Sequence, residues 1–400
     1  MRRVLFITVG GSADPIIEAV RSLSPHRIVF FCTTEPQSSV PIVEQEDGVV
    51  DSSGFEGEYE IVPVPSDQLA EIVAVMTNAM GRFGGGLELV ADYTGGTKSM
   101  SAALVIASSL HGAVQLYLTT GYRTDLVKVT QFASTRPVPT GDIVAFQVLQ
   151  TVMPNLLSRH AYNEGAELLQ ELLTSKELSR SVLDVIEPLQ LACRAFDAWD
   201  SFDHEAAKRM LETLFRHLGE YAGPLDLLVR GRNVLDDAGS RDPRYELVSD
   251  LLQNADRRAL VGRFDDAVAR MYRSLELMAQ LHLLQAHGLK TSKLPDSEGN
   301  DRPGGLVVAW DHLARLDDEL GYRWNARREQ LRDVLNQRNA SVLAHGRTPV
   351  GADGWRAVDH EIGGFLRDLL KLVEAKSVPQ LPGDRLLSIW SLSDWGSTVK

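Results

Sequence analysis

The stretch Ala91-Asp92-Tyr93-Thr94-Gly95-Gly96-Thr97-Lys98-Ser99-Met100 decides how the first third of this chain is read. It closes an apolar run that begins at Leu87 and opens a helix-like run that reaches His111. A buried strand that ends in a small, glycine-rich turn and passes straight into a helix is the repeating unit of a parallel α/β sheet. The same alternation extends on both sides of it. Val4–Val9, Arg27–Cys32, Tyr59–Val64, Leu87–Tyr93 and Val114–Thr119 are rich in Val, Ile, Leu, Phe and Tyr. Ala13–Leu23, Asp67–Met80 and Lys98–His111 read as the helices among them. Near-continuous apolar strands imply a sheet covered on both faces. Leu126–Phe132 adds a strand that suits an antiparallel edge. Residues 1–140 therefore read as one Rossmann-like, doubly wound domain.

Beyond Pro137–Gly141 the pattern turns helical and stays so from Ile143 to Lys376. Gly223-Pro224 and Asp236–Pro243 read as breaks. The longest periodic stretch is Tyr245–Gly288, in which Phe264, Val268, Met271, Leu275 and Met278 form one apolar stripe. Thr291–Gly305 is polar and Gly/Pro-rich, and so a loop. Helices are expected over Leu306–Leu320, Trp324–His345 and Gly354–Lys376. The organisation is then α/β followed by all-α: 1–140, a helical connector at 141–240, a helical domain at 241–376 and a tail at 377–400. Pro379, Pro382, Trp390 and Trp395 suggest that the tail packs on the body or on a partner.

The composition is ordinary for a globular protein, at 44% hydrophobic and 24% charged residues. Two cysteines, Cys32 and Cys193, lie far apart with no CxxC, which argues against a disulfide framework or a zinc site and for a reducing cytoplasm. The opening MRRVLFITVGG is too short a run for a signal peptide, and no stretch of about 18 apolar residues suggests a membrane span. A net charge of −13 opposes tight, non-specific binding to a nucleic-acid backbone.

The quoted turn has the chemistry of an anion site. In an open α/β sheet ligands bind beyond the carboxyl ends of the strands. Gly95 and Gly96 let the backbone approach a ligand, and the helix start offers N–H groups. Asp92, Thr94 and Thr97 add polar side chains, and Lys98 a mobile cation suited to phosphate. The first strand ends similarly, at Thr8-Val9-Gly10-Gly11-Ser12, so Thr8, Gly10, Gly11 and Ser12 join the candidate cleft. A P-loop is excluded because Thr97 stands between Gly96 and Lys98, and no Gly-x-Gly-x-x-Gly opens the first helix. The competing reading is a plain turn with Ser12 or Thr97 as an N-cap.

The second candidate site is Asn336-Gln337-Arg338-Asn339-Ala340-Ser341-Val342-Leu343-Ala344-His345-Gly346. Arg338 and His345 are seven apart, about 700° of helix, and so share a face. Leu331, Val334, Leu335 and Val342 form the apolar stripe, and Arg338 and His345 fall in line with Leu331. Side chains of this kind on an apolar stripe face a polar cluster, a cleft or a partner subunit. Histidine can move a proton to or from a ribose hydroxyl near neutral pH, arginine can neutralise a phosphate in the transition state, and Asn339 can orient either. The alternative is an ordinary helix C-terminus, with His345 on the dipole and Gly346 as the stop.

Together the two segments resemble one combination. Residues 1–140, with Thr8–Ser12 and Asp92–Met100, resemble a CARF domain. Residues from about 240 to 376, with Arg338-Asn339-x-Ser341-x-Leu343-Ala344-His345-Gly346 and Arg263-Phe264-Asp265-Asp266-Ala267-Val268-Ala269-Arg270, resemble a HEPN domain. The resemblance implies a CRISPR-associated ancillary endoribonuclease of type III systems that needs no metal cofactor. A cyclic oligoadenylate would be its activator, binding across two CARF domains of a homodimer. Paired HEPN domains would then cut single-stranded RNA, with no DNA or membrane partner. The alternatives are a regulator whose helical domain only binds a partner, and a CARF domain that itself opens the cyclic ligand.

Overall fold

The computed structural model describes residues 2–124, 128–175, 177–236, 244–295, 300–339 and 348–390. The chain divides into two units. One comprises Met1–Val148 with Leu172–Leu183, the other Leu149–Glu171 with Asp184–Lys400.

The first unit is built on six strands. β1 (Arg2–Thr8), β2 (Arg27–Thr33), β3 (Glu58–Val64), β4 (Leu87–Asp92), β5 (Val114–Thr124) and β6 (Lys128–Val138) lie in the order β3-β2-β1-β4-β5-β6. All pairings are parallel except β5–β6, so the expected antiparallel edge is present. Strand alternation explains why both faces are buried. From β1, Val4 and Phe6 enter one core with Val29, Phe31, Ile72, Met76 and Leu104. Leu5, Ile7 and Val9 enter the other with Ile16, Val20, Ile28 and Phe30. The helices α1 (Asp14–Leu23), α4 (Leu69–Met80) and α5 (Lys98–His111) supply the covering residues. Two five-residue helices, α2 (Val40–Glu44) and α3 (Val49–Ser53), went unread in the sequence because one turn leaves no periodic pattern. Cys32 and Cys193 are free and buried, and burial pushes their thiols up to about 11 and about 12, so they act as small apolar groups.

The chain runs outward from β1 to β3 and then returns to place β4 on the other side of β1. That reversal is the topological switch point, and it opens a crevice at the carboxyl ends of β1 and β4. Ile7 lies opposite Asp92 in the register, so the turns after Thr8 and Asp92 are neighbours.

The second unit is helical. Its elements include α6 (Tyr162–Ser175) and α7 (Arg180–Asp200), which continue into the first unit's segment, then α8 (Glu246–Leu260), α9 (Phe264–His287), α10 (Leu306–Arg315) and α11 (Glu319–Asn339). Several boundaries differ from the sequence reading. Tyr245–Gly288 is two helices, because Gly262 (φ +76°) turns the chain between Leu260 and Phe264. Gly223-Pro224 is no break: both sit in the first turn of the helix Ala222–Asp236, where proline loses no helical hydrogen bond. Asp236 is the last described residue of that helix, and residues 237–243 of the expected break lie outside the described residues. Thr291–Gly305 carries a two-stranded piece, Leu294–Pro295 against Asp301–Arg302. Helix α10 stops at Arg315, and α11 begins at Glu319 rather than Trp324. Val268, Met271, Leu275 and Met278 of the expected stripe are buried. Of the tail, Val378, Leu381 and Leu386 are buried, and Trp390 packs on His217, with ring centroids 5.5 Å apart. Trp395 lies outside the described residues.

Candidate functional site

The two turns at the switch point are stitched to each other. Thr8, wholly buried, donates from Oγ1 to the Gly95 carbonyl at 2.7 Å, and Ser101 Oγ donates to the same carbonyl at 2.9 Å. Three glycines are needed for that approach. A Cβ on Gly10 would stand 2.7 Å from the Gly96 nitrogen, and one on Gly95 would collide with the Thr8 carbonyl. Gly96 has φ +85°, the left-handed region that L side chains avoid. Gly11 and Ser12 complete the first turn, exposed and half-buried respectively.

Asp92 and Thr94 are spent on holding this frame. The buried Asp92 carboxylate accepts the Thr94 backbone N–H and the Thr119 hydroxyl, each at 2.9 Å. Burial raises its carboxyl above the ordinary range although these bonds pull the other way. Thr94 Oγ1 in turn accepts the Thr119 backbone N–H at 2.7 Å, which ties the turn to β5. Thr97 is the N-cap of α5: its Oγ1 accepts Met100 N–H at 3.2 Å and donates to the Ser66 carbonyl at 2.9 Å. Lys98 is exposed at the first position of α5. The structure thus realises the expected cap at Thr97, but a cleft opens beside it.

That cleft, of about 500 Å³, is lined by Val9, Gly10, Gly11, Gly96 and Thr97 from the two turns. Thr33, Glu35–Ser39 and Ile42, and Ser66 with Asp67, complete the wall. Its size is in the range of small-ligand sites. Thr8, Ser12, Asp92, Thr94, Gly95 and Lys98 stand outside the lining, as scaffold or rim. The sequence reading missed the turns after β2 and β3, Thr33–Ser39 and Ser66–Asp67. Both leave carboxyl strand ends, so the rule that singled out the turns after β1 and β4 also applies to them. A second cleft, of about 310 Å³ between Gly112–Gln115 and Pro137–Gly141, lies at the opposite edge, where β5 begins.

In the helical unit, α11 carries the second candidate site. Leu331, Val334 and Leu335 are buried, and the Tyr272 hydroxyl of α9 donates to the Val334 carbonyl at 2.6 Å. One side of α11 therefore faces into the unit as far as its last described turn. Arg338 and Asn339 are the last described residues of this helix. Arg338 follows Leu331 by seven positions along the helix. The side chains of Arg338 and Asn339, and all of His345 and Val342, lie outside the described residues. Arg327 and Arg332 on the same helix are exposed, while Arg328 pairs with Asp311 at 2.5 Å.

Comparison with known proteins gives one family match and a likeness to solved structures. The family model described as the Csm6 HEPN domain matches residues 238–302 and 304–368. Csm6 of Enterococcus italicus, solved bound to cyclic hexa-2'-fluoro-hexa-dAMP, is similar over 98% of this chain and 99% of its own, with 13% identity and a TM-score of 0.62. Can2 of Sulfobacillus thermosulfidooxidans, solved with cyclic tetra-adenylate, covers 50% of this chain and 65% of its own, at 13% identity and a TM-score of 0.26. No curated protein matches. A doubly wound sheet with a switch-point cleft is thus followed in the chain by a helical unit that matches a HEPN domain model. Residues 238–302 and 304–368 match the Csm6 HEPN domain model, and the chain as a whole shares its fold with Csm6 of Enterococcus italicus.

Proposed function

We propose that this protein is a cytoplasmic endoribonuclease that cuts single-stranded RNA without a metal and is switched on by a cyclic oligoadenylate. The observation that carries this reading is the HEPN match, which runs across Arg338, Asn339 and His345. In the reaction, the ribose 2'-oxygen attacks the adjacent phosphorus and the bond to the 5'-oxygen breaks. The products are a 2',3'-cyclic phosphate and a free 5'-hydroxyl. His345 moves the proton off the 2'-oxygen or onto the leaving oxygen, Arg338 neutralises the phosphorane charge, and Asn339 orients the substrate. The exposed Arg327 and Arg332 supply local positive charge that the chain as a whole, at −13, does not.

Activation belongs to the switch-point cleft in the 1–140 region. Glycine backbone at Gly10, Gly11 and Gly96 and the start of α5 suit phosphate, and Lys98 at the rim adds a cation. Glu35 and Asp67 repel phosphate but accept hydrogen bonds from ribose hydroxyls and the adenine amine. A ring of adenylates matches a two-fold dimer that presents two copies of this cleft, and the same dimer brings two copies of the α11 face together. Ligand binding then favours the geometry in which both Arg338/His345 pairs align.

The test is cleavage of a labelled single-stranded RNA by the full chain in excess chelator, with and without cyclic tetra- and hexa-adenylate. The reading requires cutting that depends on one of the rings. Cutting that needs added magnesium or manganese, or that no ring stimulates, rejects it.

A further inference from the structure

Among the described residues, one group of side chains has the makings of a metal site: His282 and His287 near the end of α9, and Asp318 just before α11. Their ligand atoms all lie within 4.8 Å of one another. Both imidazole Nε2 atoms stand 2.9 Å from the same carboxylate oxygen, Asp318 Oδ2. The other oxygen, Oδ1, is held by the backbone N–H groups of Leu320 at 2.8 Å and Gly321 at 3.3 Å. On the far side of the His282 ring, Nδ1 lies 2.7 Å from the Tyr245 hydroxyl. All three side chains are largely buried, between 10% and 24% exposed.

We propose that His282 Nε2, His287 Nε2 and Asp318 Oδ2 bind one zinc ion that fastens the end of α9 to the start of α11. Two imidazoles and a carboxylate are the ligand types zinc takes, and three protein ligands leave a fourth position for water. With zinc–ligand bonds of about 2.0–2.1 Å, the edge of the coordination tetrahedron is about 3.3 Å. Each nitrogen therefore needs to part from Asp318 Oδ2 by only about 0.4 Å from its 2.9 Å spacing, and all three atoms already lie within 4.8 Å of one another. The outer partners fit as well. A metal-bound histidine keeps its other ring N–H for an acceptor, and Tyr245 stands where His282 needs one. When Nε2 carries the proton, the tyrosine donates to Nδ1; when Nε2 binds zinc, Nδ1 carries the proton and donates to the tyrosine oxygen.

The site is not legible in the sequence because its ligands, at 282, 287 and 318, have no motif spacing. Its role is structural. Asp318 caps α11, the helix that carries Arg338 and Asn339, so the ion fixes the origin of the candidate catalytic helix. The chemistry at the far end needs no metal, and the zinc site stands or falls independently of it.

The experiment is zinc titration of the chelator-treated, dialysed full chain, read by equilibrium dialysis and thermal melting. We expect one zinc per chain and a melting temperature that rises with zinc but not with magnesium. His287→Ala should keep the metal-free melting temperature and lose at least tenfold in zinc affinity, and Tyr245→Phe should lose about tenfold. If His287→Ala does not fold, Asp318→Asn, which keeps a capping oxygen, replaces it with the same expected loss. Failure of the wild-type chain to bind zinc stoichiometrically, or unchanged affinity in the ligand variant, overturns the assignment.

Discussion

The Thr8 hydroxyl at the end of β1 reaches the Gly95 carbonyl beyond β4 at 2.7 Å, joining two turns that are 87 residues apart in sequence. This bond sets the floor of the cleft, because it holds Gly10 and Gly96 in contact. Thr8→Val keeps the shape and removes the donor. It should cost about 1 kcal/mol of stability, since Ser101 still serves the Gly95 carbonyl. Gly96→Ala should cost about 1–2 kcal/mol from its positive φ alone and should weaken cyclic oligoadenylate binding more than Thr8→Val does. Urea unfolding and ligand titration on both variants check this.

Asp92 should make the α/β unit lose stability as pH rises out of the acid range. The folded chain holds the Asp92 proton more tightly than the unfolded chain, so stability falls as pH rises from the ordinary value of 3.8 through the raised one. Asp92→Asn presents an oxygen to Thr94 and a donor to Thr119, and carries no charge to bury. Its stability should vary less with pH over that span and should equal or exceed the wild type at neutral pH, as read by thermal melts across a pH series.

His160 works in the opposite direction in the helical unit. Burial, with Arg257 and Arg258 nearby, lowers it to about 4, and its Nδ1 stands 2.9 Å from the Tyr162 hydroxyl. The unfolded chain therefore binds a proton that the folded chain refuses, and stability is lost as pH falls from 6.5 toward about 4. His160→Asn tolerates the residue's positive φ of 54° and removes the titration. It should flatten that acid limb, which the same pH series measures.

Asp200 is the sole described carboxylate on a buried guanidinium. It accepts Arg257 Nε at 2.7 Å and Asn254 Nδ2 at 2.8 Å, and it also pairs with Arg258. Both Arg257 Nη atoms are buried with no hydrogen-bond partner among the described residues. Asp200→Ala removes the carboxylate hydrogen-bonded to that guanidinium, leaving only the charges of Asp250 and Asp256 nearby, and should destabilise the helical unit by about 3–5 kcal/mol. Asp200→Ala with Arg257→Met should recover much of the loss. Denaturant midpoints of the single and double variants decide.

What was legible in the sequence follows from how local each signal is. The five parallel strands could be read because a strand buried on both faces is apolar throughout, as Leu5, Phe6 and Ile7 are. The Thr94–Lys98 turn could be read because close backbone approach demands glycine at Gly95 and Gly96. The cleft's other half could not, because Thr33–Ser39 and Ser66–Asp67 contribute through the sheet order that brings their strands beside β1. Within the helical unit, Leu313, Leu316 and Leu320 keep a three-four spacing straight through the turn at Leu316–Asp318, which hides both the end of α10 and the cap of α11. Gly262 breaks Tyr245–Gly288 although the apolar pattern runs on through it. The HEPN segment was legible as a motif, but whether Arg338 and His345 share one face rests on side chains outside the described residues.

The account's central claim is that an imidazole at His345 and a guanidinium at Arg338 carry out RNA cleavage under control of a distant nucleotide. The most direct measurement is single-turnover cleavage by wild type, His345→Ala and Arg338→Ala at saturating ring ligand, with ligand affinity determined on the same samples. Both variants should bind the ring as the wild type does and lose cleavage by about 10²-fold or more. Either variant cutting RNA at the wild-type rate would contradict it.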